Sequence, residues 1–312
     1  MKLQFLQTLA AVLQHGSFAA AAKDVNLTAS AVGLQMRQLE DFFGQPLFDR
    51  SARQVRPTPF AHEIAGTLAQ AVDALEALRS RRDGPALTGR LRLGTVESAQ
   101  VTLLPAALQV LREQGPALQF AISRGTSSAL LDEVKAGRID AAVLVRPQSG
   151  GSRRLAWTPL ARETMVLIAP PDARPAPPVE MLRRYDWIRM DLETTGGRIA
   201  AQYVHRIAPR MRCAFDLPGS ESIAAMVSAG LGVSVVPALR QELLQAYPVL
   251  QVPLGKGAPI RHLALVCRHA DADGRLMRAV VEAFRAAAHR RFGADAVAAA
   301  DPRHRVRQRQ NP

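Results

Sequence analysis

The sequence predicts an α/β protein that begins with a small all-α domain. Residues 1–58 hold short helical segments separated by turn residues, residues 59–82 carry one unbroken helical stripe, and residues 90–292 alternate apolar strands with amphipathic helices. The βαβαβ alternation predicts a mostly parallel sheet covered by helices. Residues 83–89 are expected to form a hinge. Residues 293–312 have little to bury and are expected to form a disordered basic tail.

The composition limits the class of protein. Hydrophobic residues make up 48% of the 312 residues, and no run of about 20 apolar residues could cross a bilayer. The net charge of +13 favours an anionic partner, either nucleic acid or an anionic surface. Cys213 and Cys267 are the only cysteines, so no disulfide framework or cysteine-rich zinc site is predicted. We expect a cytoplasmic protein without a metal or cofactor.

The first residues allow one alternative. Leu3–Leu13 is largely apolar and Ala19–Ala22 follows it, a composition that also occurs in secretory signal peptides. Gln4, Gln7 and Gln14 interrupt the segment, and its apolar residues fall at helical spacing. We therefore favour an amphipathic first helix over export.

Three helices are predicted in the first domain. Ser17 and Thr28 can cap the second and third helices, because their hydroxyl oxygens can accept hydrogen bonds from amides of the first turn. Asn26-Leu27 makes a tight turn between these helices, since asparagine tolerates the left-handed backbone conformation. The predicted helices are Leu3–Gln14, Phe18–Val25 and Ala29–Phe43.

The third helix has two different faces. Its outer face is small near the N-terminus, which is typical of a helix that enters the major groove of DNA. Gly33 costs the helix about 1 kcal/mol relative to alanine, which suggests a close backbone approach. A helical hairpin with a small exposed face is the alternative. The inner residues are Val32, Met36, Leu39 and Phe43, and the outer residues are Ala29, Ser30, Gly33, Leu34 and Arg37.

The segment Pro46–Pro57 is short enough for a β-wing and places Arg50, Arg53 and Arg56 at every third position. Arginines on a wing suit phosphate oxygens, which position a protein on DNA without reading its sequence. Residues 1–65 nevertheless hold six basic and five acidic side chains, a net charge of only +1. DNA binding would therefore depend on where the arginines point and on two copies acting together.

Many spaced motifs of the first domain follow one another in a recognisable order: Gly16-Ser17-Phe18, Ala21-Ala22, Leu27-Thr28, Ser30-Ala31-Val32, Leu39-Glu40, Gly44, Pro46-Leu47-Phe48-Asp49-Arg50 and Pro57-Thr58-Pro59. They closely resemble the N-terminal domain of LysR-type transcriptional regulators. The resemblance implies a winged helix-turn-helix whose second helix reads DNA. The family usually has serine at position 33, a basic residue at 34 and often proline at 30, so the operator cannot be inferred from relatives. The candidate DNA-binding residues are Ser17, Thr28, Ala29, Ser30, Gly33, Leu34, Arg37, Arg50, Arg53 and Arg56.

A long helix is predicted from the cap at Thr58-Pro59 to Arg82, a length of about 36 Å. Its apolar stripe needs a partner, which could be its own domain or a second chain. The family resemblance favours antiparallel pairing of two chains and implies a dimer or tetramer. The stripe consists of Phe60, Ile64, Leu68, Val72, Leu75 and Leu78.

Residues 90–292 are expected to form two lobes, the first from residues 90–161 and 266–292 and the second from residues 162–265. This region resembles the family's effector domain, which is akin to periplasmic binding proteins, and its landmarks are Gly94, Leu104-Pro105, Pro116-Ala117-Leu118, Leu131, Gly137-Arg138-Ile139-Asp140, Ser228–Val233 and Pro237. The predicted strands are Leu91–Gly94, Gln119–Ser123, Ala141–Val145, Met165–Ala169, Trp187–Met190, Arg212–Phe215, Val233–Val236 and His262–Cys267. The predicted helices are Leu104–Arg112, Ser128–Ala136, Gly197–His205, Ile223–Ala229 and Gly274–Arg291, the last returning to lobe one.

Polar residues at strand ends and helix starts are the candidates for effector contact. Ligands of open α/β sheets bind beyond the carboxyl ends of the strands, and free amides at helix starts favour carboxylates. Each hydroxyl could equally be a plain helix cap. If Glu97 and Glu221 both face the cleft, an amino acid or another ligand with a positive charge fits. The candidates are Glu97, Ser98, Thr126, Arg146, Thr194 and Glu221.

Two other classes of protein fit the sequence less well. An enzyme is disfavoured because the sequence has no glycine-rich phosphate loop, no nucleophile elbow and no cluster of histidines at metal-ligand spacing. A solute-binding transport protein would explain the two lobes but not the first domain. The expected function is therefore that of a sequence-specific DNA-binding transcriptional regulator whose DNA binding or promoter bending responds to a small-molecule effector. Its expected partners are double-stranded operator DNA, further copies of itself and RNA polymerase, with no membrane.

Overall fold

A computed structural model of the chain describes residues 3–49, 56–67, 87–147 and 154–298. The predicted roles of Arg50 and Arg53, of residues 68–82, of the first part of the hinge and of residues 299–312 lie outside these ranges. The chain divides into two compact units. The first contains Met1–Arg92, Gln114–Ala121 and Asp132–Asp140, and the second contains Leu93–Glu113, Ile122–Leu131 and the chain from Ala141 onward.

The first unit contains the predicted helix-turn-helix. Its first three helices are α1 (Leu3–His15), α2 (Phe18–Asp24) and α3 (Ala29–Phe43), and α3 has the bounds that the sequence predicts. Strands β1 (Phe48–Asp49) and β2 (Arg56–Pro57) pair antiparallel as a short wing. Helix α4 begins at residue 59 and is described to residue 67.

A single hydrophobic cluster holds these helices together. It takes one face from each of α1, α2 and α3, and Phe60 of α4 packs against it. Phe18 and Phe48 meet edge to face with ring centroids 5.2 Å apart, which ties α2 to the wing. The fully enclosed members are Leu9, Ala21, Val32, Met36, Leu39, Leu47 and Ala61.

A seven-stranded sheet runs in the order β10-β6-β11-β5-β3-β4, with β9 paired to β6. Strands β3 and β5 are parallel, whereas β11 is antiparallel to both β5 and β6. A two-stranded parallel sheet, β7-β8, joins β9 through a bridge from Trp187 to Val233. The strands are β3 (Arg90–Thr95), β4 (Gln119–Arg124), β5 (Ala141–Val145), β6 (Leu155–Ala169), β7 (Trp187–Met190), β8 (Cys213–Leu217), β9 (Ser234–Pro237), β10 (Leu250–Pro253) and β11 (Ile260–Arg268).

At least three of the remaining helices pack against these sheets. The last of them, α12, packs against β6 and extends beyond the predicted end at Arg291, with a non-helical residue at Gly293. The prediction that the tail begins at residue 293 is therefore wrong for residues 293–298. The helices are α5 (Glu97–Thr102), α6 (Leu104–Gln114), α7 (Ser127–Lys135), α8 (Pro178–Arg184), α9 (Thr195–Ile207), α10 (Ser220–Ser228), α11 (Gln241–Ala246) and α12 (Arg275–Ala298), and a 3-10 turn spans His269–Asp271.

Strand β6 is much longer than the predicted Met165–Ala169. Its first part pairs with β11, and from Met165 onward it pairs with β9 and β10, so one strand serves both lobes of the domain. Pro159 lies inside this strand. The register shifts there, since Ala161 pairs with Leu263 and Pro159 with Ala264, and a bulge is a position at which a strand tolerates proline. The predicted two-lobed α/β architecture is confirmed.

Candidate DNA-binding face and effector cavity

Side-chain caps fix where α2 and α3 begin. The Ser17 hydroxyl accepts a hydrogen bond from the Ala20 amide at 3.1 Å, and the Thr28 hydroxyl accepts one from the Ala31 amide at 3.2 Å. Asn26 adopts a φ of 53° in the turn between the helices, as its residue type predicts. These contacts fix the first turns of α2 and α3 and the turn that joins them.

The outer face of α3 is open to solvent over its first two turns. Ala29, Ser30, Leu34 and Arg37 are exposed, and Leu34 shows 57% of its surface. A Cβ atom at Gly33 would meet only Phe18 Cδ2, at an ordinary 3.9 Å. The packing of the protein therefore does not require glycine at this position.

Glu40 joins α3 to the wing, a role that the sequence analysis did not assign to it. Its Oε1 atom accepts hydrogen bonds from the Leu47 amide at 3.0 Å and the Phe48 amide at 3.2 Å. Both of these residues are buried. Arg56 is exposed on β2, while Arg50 and Arg53 fall outside the described residues.

A cavity of about 400 Å³ lies in the second unit, within the size range of small-molecule sites. Helices α5, α7, α9 and α10 all begin at its wall, and Val101, Met190 and Leu243 give it apolar surface. The charged side chains at the wall are Glu97, Arg124, Glu163, Asp191, Glu221, Arg240, Arg261 and Arg291.

The cavity brings together five of the six predicted effector-binding residues: Glu97, Ser98, Thr126, Thr194 and Glu221. The sixth, Arg146, is not among the residues at the wall, and its guanidinium carbon lies 5.2 Å from the centre of the Trp157 ring. This stacking engages Arg146 within the protein.

Two of the hydroxyls at the wall also cap helices. Thr194 Oγ1 accepts a hydrogen bond from the Gly197 amide at 2.9 Å and donates one to the Asp191 carbonyl at 2.8 Å. Thr126 Oγ1 accepts a longer one, 3.4 Å, from the Ala129 amide and lies 3.1 Å from Ser128 Oγ. A hydroxyl oxygen can accept two hydrogen bonds, so Thr194, which accepts one and donates one, and Thr126 both keep hydrogen-bonding capacity beyond their caps.

Three ion pairs at the cavity wall differ in the distance between their charged groups. Arg261 and Glu163 are 2.6 Å apart and almost entirely buried, directly opposite each other on β11 and β6. Arg124 and Glu97, like Arg240 and Glu221, are 3.9 Å apart, and both carboxylates are exposed. Neither these arginines nor Glu163 follow from the rules for strand ends and helix starts. The signal that could have marked them is the charge of Arg261 inside an apolar strand.

Two further properties of the described residues bear on function. They contain no group of three or more histidine, cysteine, aspartate or glutamate side chains that could hold a metal ion. No helix in the same ranges combines the length and apolar character that a membrane span requires.

Comparison with known proteins identifies the family. The family model "Bacterial regulatory helix-turn-helix protein, lysR family" matches residues 3–62, and the model "LysR substrate binding domain" matches residues 85–289. The chain belongs to the LysR family of bacterial transcriptional regulators. This LysR-type regulator thus has a DNA-binding helix-turn-helix and an effector-binding domain that modulates its action, and the predicted family and function are confirmed.

Individual relatives agree with this assignment. The HTH-type transcriptional regulator AbaB of Streptomyces antibioticus is 31% identical over 247 residues, which cover 76% of this chain and 81% of AbaB. The crystal structure of ArgP from Mycobacterium tuberculosis is similar with a TM-score of 0.70 at 19% identity, covering 91% of this chain and 96% of ArgP. Full-length LysG from Corynebacterium glutamicum, solved with bound effector Arg, has a TM-score of 0.69 at 15% identity, covering 93% of this chain and 99% of LysG. At these identities the two structures show a shared fold.

Proposed function

We propose that this LysR-type regulator reads its operator by placing α3 in the major groove of duplex DNA. The exposed outer face of α3 supports this placement, because its small N-terminal residues, Ala29, Ser30 and Gly33, leave room for base edges near the helix backbone. Ser30 and Arg37 offer hydrogen-bonding groups, and Leu34 offers an apolar contact for a thymine methyl group. Ser17 and Thr28, at the starts of α2 and α3, would contact the sugar-phosphate backbone of the DNA. The wing would bind DNA phosphates through Arg50, Arg53 and Arg56.

The cavity of the second unit is proposed as the effector site. Ser98, Thr126 and Thr194 supply hydroxyls at its wall, and Glu97 and Glu221 supply carboxylates. Arg146, expected from the sequence to contact the effector, is left out because it stacks on Trp157 and does not reach the wall. An effector that binds one arrangement of the lobes more tightly than another would shift the population toward that arrangement and alter DNA bending.

Assembly into dimers and then a homotetramer is proposed as the active form, acting in the cytoplasm at promoters where RNA polymerase is the further partner. The net charge of only +1 over residues 1–65 supports the need for two or more copies on the DNA. Phe60 and Ile64 begin the apolar stripe of α4, and its remaining residues lie outside the described ranges. This LysR-type regulator is proposed to be without enzymatic activity, in keeping with its family.

The proposed docking separates residues that read bases from residues that bind phosphates. Ser30→Ala and Leu34→Ala should change the preferred base at one or two positions of each half-site. Arg56→Ala, like Arg50→Ala or Arg53→Ala, should weaken binding to all sequences similarly and reduce the slope of log K against log salt by about 1. Mobility shifts with promoter fragments and with unrelated DNA, repeated at rising salt, measure both effects. An equal loss across all DNA sequences for Ser30→Ala would contradict this docking.

Gly33 provides an independent test, because its two expected effects have opposite signs. Gly33→Ala should stabilise α3 by up to about 1 kcal/mol, since alanine favours helix and the new methyl group fits beside Phe18. The same methyl group should weaken binding to this regulator's own operator, whose bases would face glycine at position 33 rather than the serine that the family usually has. Hydrogen exchange of the α3 amides reports the first effect and a mobility shift reports the second. A stabilised variant with unchanged DNA affinity would place the outer face of α3 away from DNA.

A further inference from the structure

Arg261 is an unusual side chain for its position. It is 6% exposed and lies near the start of β11, where its Nε atom donates a hydrogen bond to Glu163 Oε2 at 2.6 Å. A guanidinium group carries five N–H donors, and a buried charge is costly unless its donors find acceptors. Glu163 accepts a hydrogen bond from one of these five donors, through a single carboxylate oxygen.

Arg261 has two further nitrogens, Nη1 and Nη2, at the end of its side chain. Neither makes a hydrogen bond to the residues that the structure describes, and Arg261 forms part of the cavity wall. A Cβ atom placed on Gly196 would lie 3.7 Å from Arg261 Nη1, so this nitrogen sits beside the first turn of α9. A buried cation with unused donors therefore lies beside the N-terminus of a thirteen-residue helix.

The first turn of α9 adds donors of the same kind. Thr194 caps the Gly197 amide, whereas the amides of Thr195 and Gly196 make no hydrogen bond within the described part of the chain. The positive end of the helix dipole and the Arg261 guanidinium thus converge on one place. The carboxylate of Asp191 is also at the cavity wall, and its Oδ1 atom accepts the Glu193 amide at 2.8 Å.

The start of α10 offers a second helix N-terminus, but a side chain of the protein covers it. A Cβ atom on its N-cap residue Gly219 would lie 2.8 Å from Glu97 Oε1, so the Glu97 carboxylate rests on the backbone there. An anionic group of a ligand would meet repulsion at this place. The preferred place for such a group is beside Arg261 and α9, where the nearby carboxylates of Glu163 and Asp191 already accept hydrogen bonds from the protein.

Glu97 and Glu221 can accept a cationic group. Their side chains are 51% and 61% exposed, and the arginine nearest to each is 3.9 Å away, beyond hydrogen-bond distance. The arginines and carboxylates at the cavity wall are equal in number, four of each. A ligand with no net charge, carrying one negative and one positive group, leaves this balance unchanged.

We propose that the effector is a small zwitterion of the amino-acid class. Its carboxylate binds Arg261 and the amides of Thr195 and Gly196, and its ammonium group lies toward Glu97 and Glu221. Apolar surface from Val101, Met190 and Leu243 is available for a side chain. This inference rests on the proposed function, in which the cavity is the effector site.

The test uses the full-length regulator and probes that differ by one charged group. Thermal shift and calorimetry are measured with the protein amino acids, ornithine and citrulline, and then with the amide and the 2-oxo acid of each one that binds. We expect at least one amino acid to bind, and we expect its amide and its 2-oxo acid each to bind about ten- to a hundredfold more weakly. Absence of binding by every zwitterion, or binding that survives loss of either charged group, overturns the proposal.

Variants locate the two charged groups. Arg261→Gln should weaken binding of the amino acid about ten- to a hundredfold while leaving the affinity for its amide unchanged. Glu97→Gln should weaken binding of the amino acid to a similar extent, through loss of the contact with its ammonium group. Because Arg261→Gln leaves Glu163 buried without its partner, the double variant Arg261→Gln/Glu163→Gln keeps the test valid if the single variant is unstable. Arg189→Gln is the matched control, since Arg189 pairs with Asp216 at 2.6 Å away from the cavity. Equal losses in Arg189→Gln and Arg261→Gln would refute a direct contact.

The same samples separate this inference from the proposed function. Operator binding is measured by mobility shift with and without each probe. If the regulator binds DNA but no amino acid changes that binding, or if the cationic amide or the anionic 2-oxo acid acts as well as the amino acid, the zwitterion proposal fails while the regulatory function stands. If the regulator binds no promoter fragment at all, the proposed function itself fails.

Discussion

Replacing Glu40 by alanine is expected to destabilise the DNA-binding domain by about 2–4 kcal/mol and to weaken binding to every DNA sequence. The substitution removes the acceptor of two backbone amides, those of Leu47 and Phe48, in a buried part of the chain. Each buried donor left without an acceptor costs about 1–3 kcal/mol. The wing would lose its fixed position relative to α3. Hydrogen exchange of the α3 and wing amides in the full chain, with a mobility shift, measures both consequences.

Two further variants control this prediction. Glu40→Gln keeps an oxygen acceptor without the charge, so it should lose about half as much stability. Asp41→Ala removes an exposed carboxylate from the next position of the same helix and should have little effect on exchange. If Asp41→Ala were as damaging as Glu40→Ala, loss of negative charge would be the cause and the role assigned to Glu40 would be wrong.

A second large effect is expected at the start of α9. A Cβ atom at Gly197 would collide with the backbone oxygen of Asp191 and lie 2.7 Å from that of Met190. Gly197→Ala must therefore shift the helix away from β7, at a cost of about 1–3 kcal/mol, and the shift moves Thr194 and Gly196 in the cavity wall. We expect a lower melting temperature, which the fluorescence of buried Trp187 reports. We also expect the variant to lose its response to the effector.

The neighbouring glycine is the control for this effect. A Cβ atom at Gly196 would lie 3.5 Å from Met190 Sδ and 3.7 Å from Arg261 Nη1, both ordinary contacts. Gly196→Ala should therefore melt like the unmodified protein while binding the effector more weakly, because the methyl group narrows the space beside Arg261. Equal melting temperatures for Gly197→Ala and Gly196→Ala would show that the β7–α9 connection tolerates displacement.

Local sequence rules located the elements whose environment is regular. The cap at Thr28 and the inner stripe of Val32, Met36 and Leu39 predict α3 with its observed bounds, because one face of the helix meets one core. Strand β6 was predicted too short, since Pro159 and the pair Arg162-Glu163 interrupt its apolar pattern. In the structure a bulge accommodates the proline, and Arg261 pairs with Glu163. Neither feature can be predicted from a short stretch of sequence around β6.

The candidate site also contains residues that the local sequence predicts and residues that only the tertiary structure reveals. Strand ends and helix starts can be placed from the sequence, which therefore predicts Glu97, Ser98 and Thr126 at the site, and all three line the cavity. The ion pair of Arg261 and Glu163 joins residues 98 positions apart, and only the antiparallel register of β11 and β6 brings them together. Arg146 follows a strand in the sequence as the rule requires, yet its side chain turns to Trp157. Strand-end rules fix the position of a backbone, while the direction of a long side chain depends on its tertiary partners.

The most direct measurement is a selection of preferred DNA sequences from a random pool by the full-length protein and by its Ser30→Ala and Leu34→Ala variants. If α3 lies in the major groove, each variant should lose preference at a small number of adjacent positions in each half-site and retain the rest of the site. A set of preferences identical to that of the unmodified protein at every position, or no sequence preference in any of the three proteins, would contradict the assignment of α3 as the reading helix.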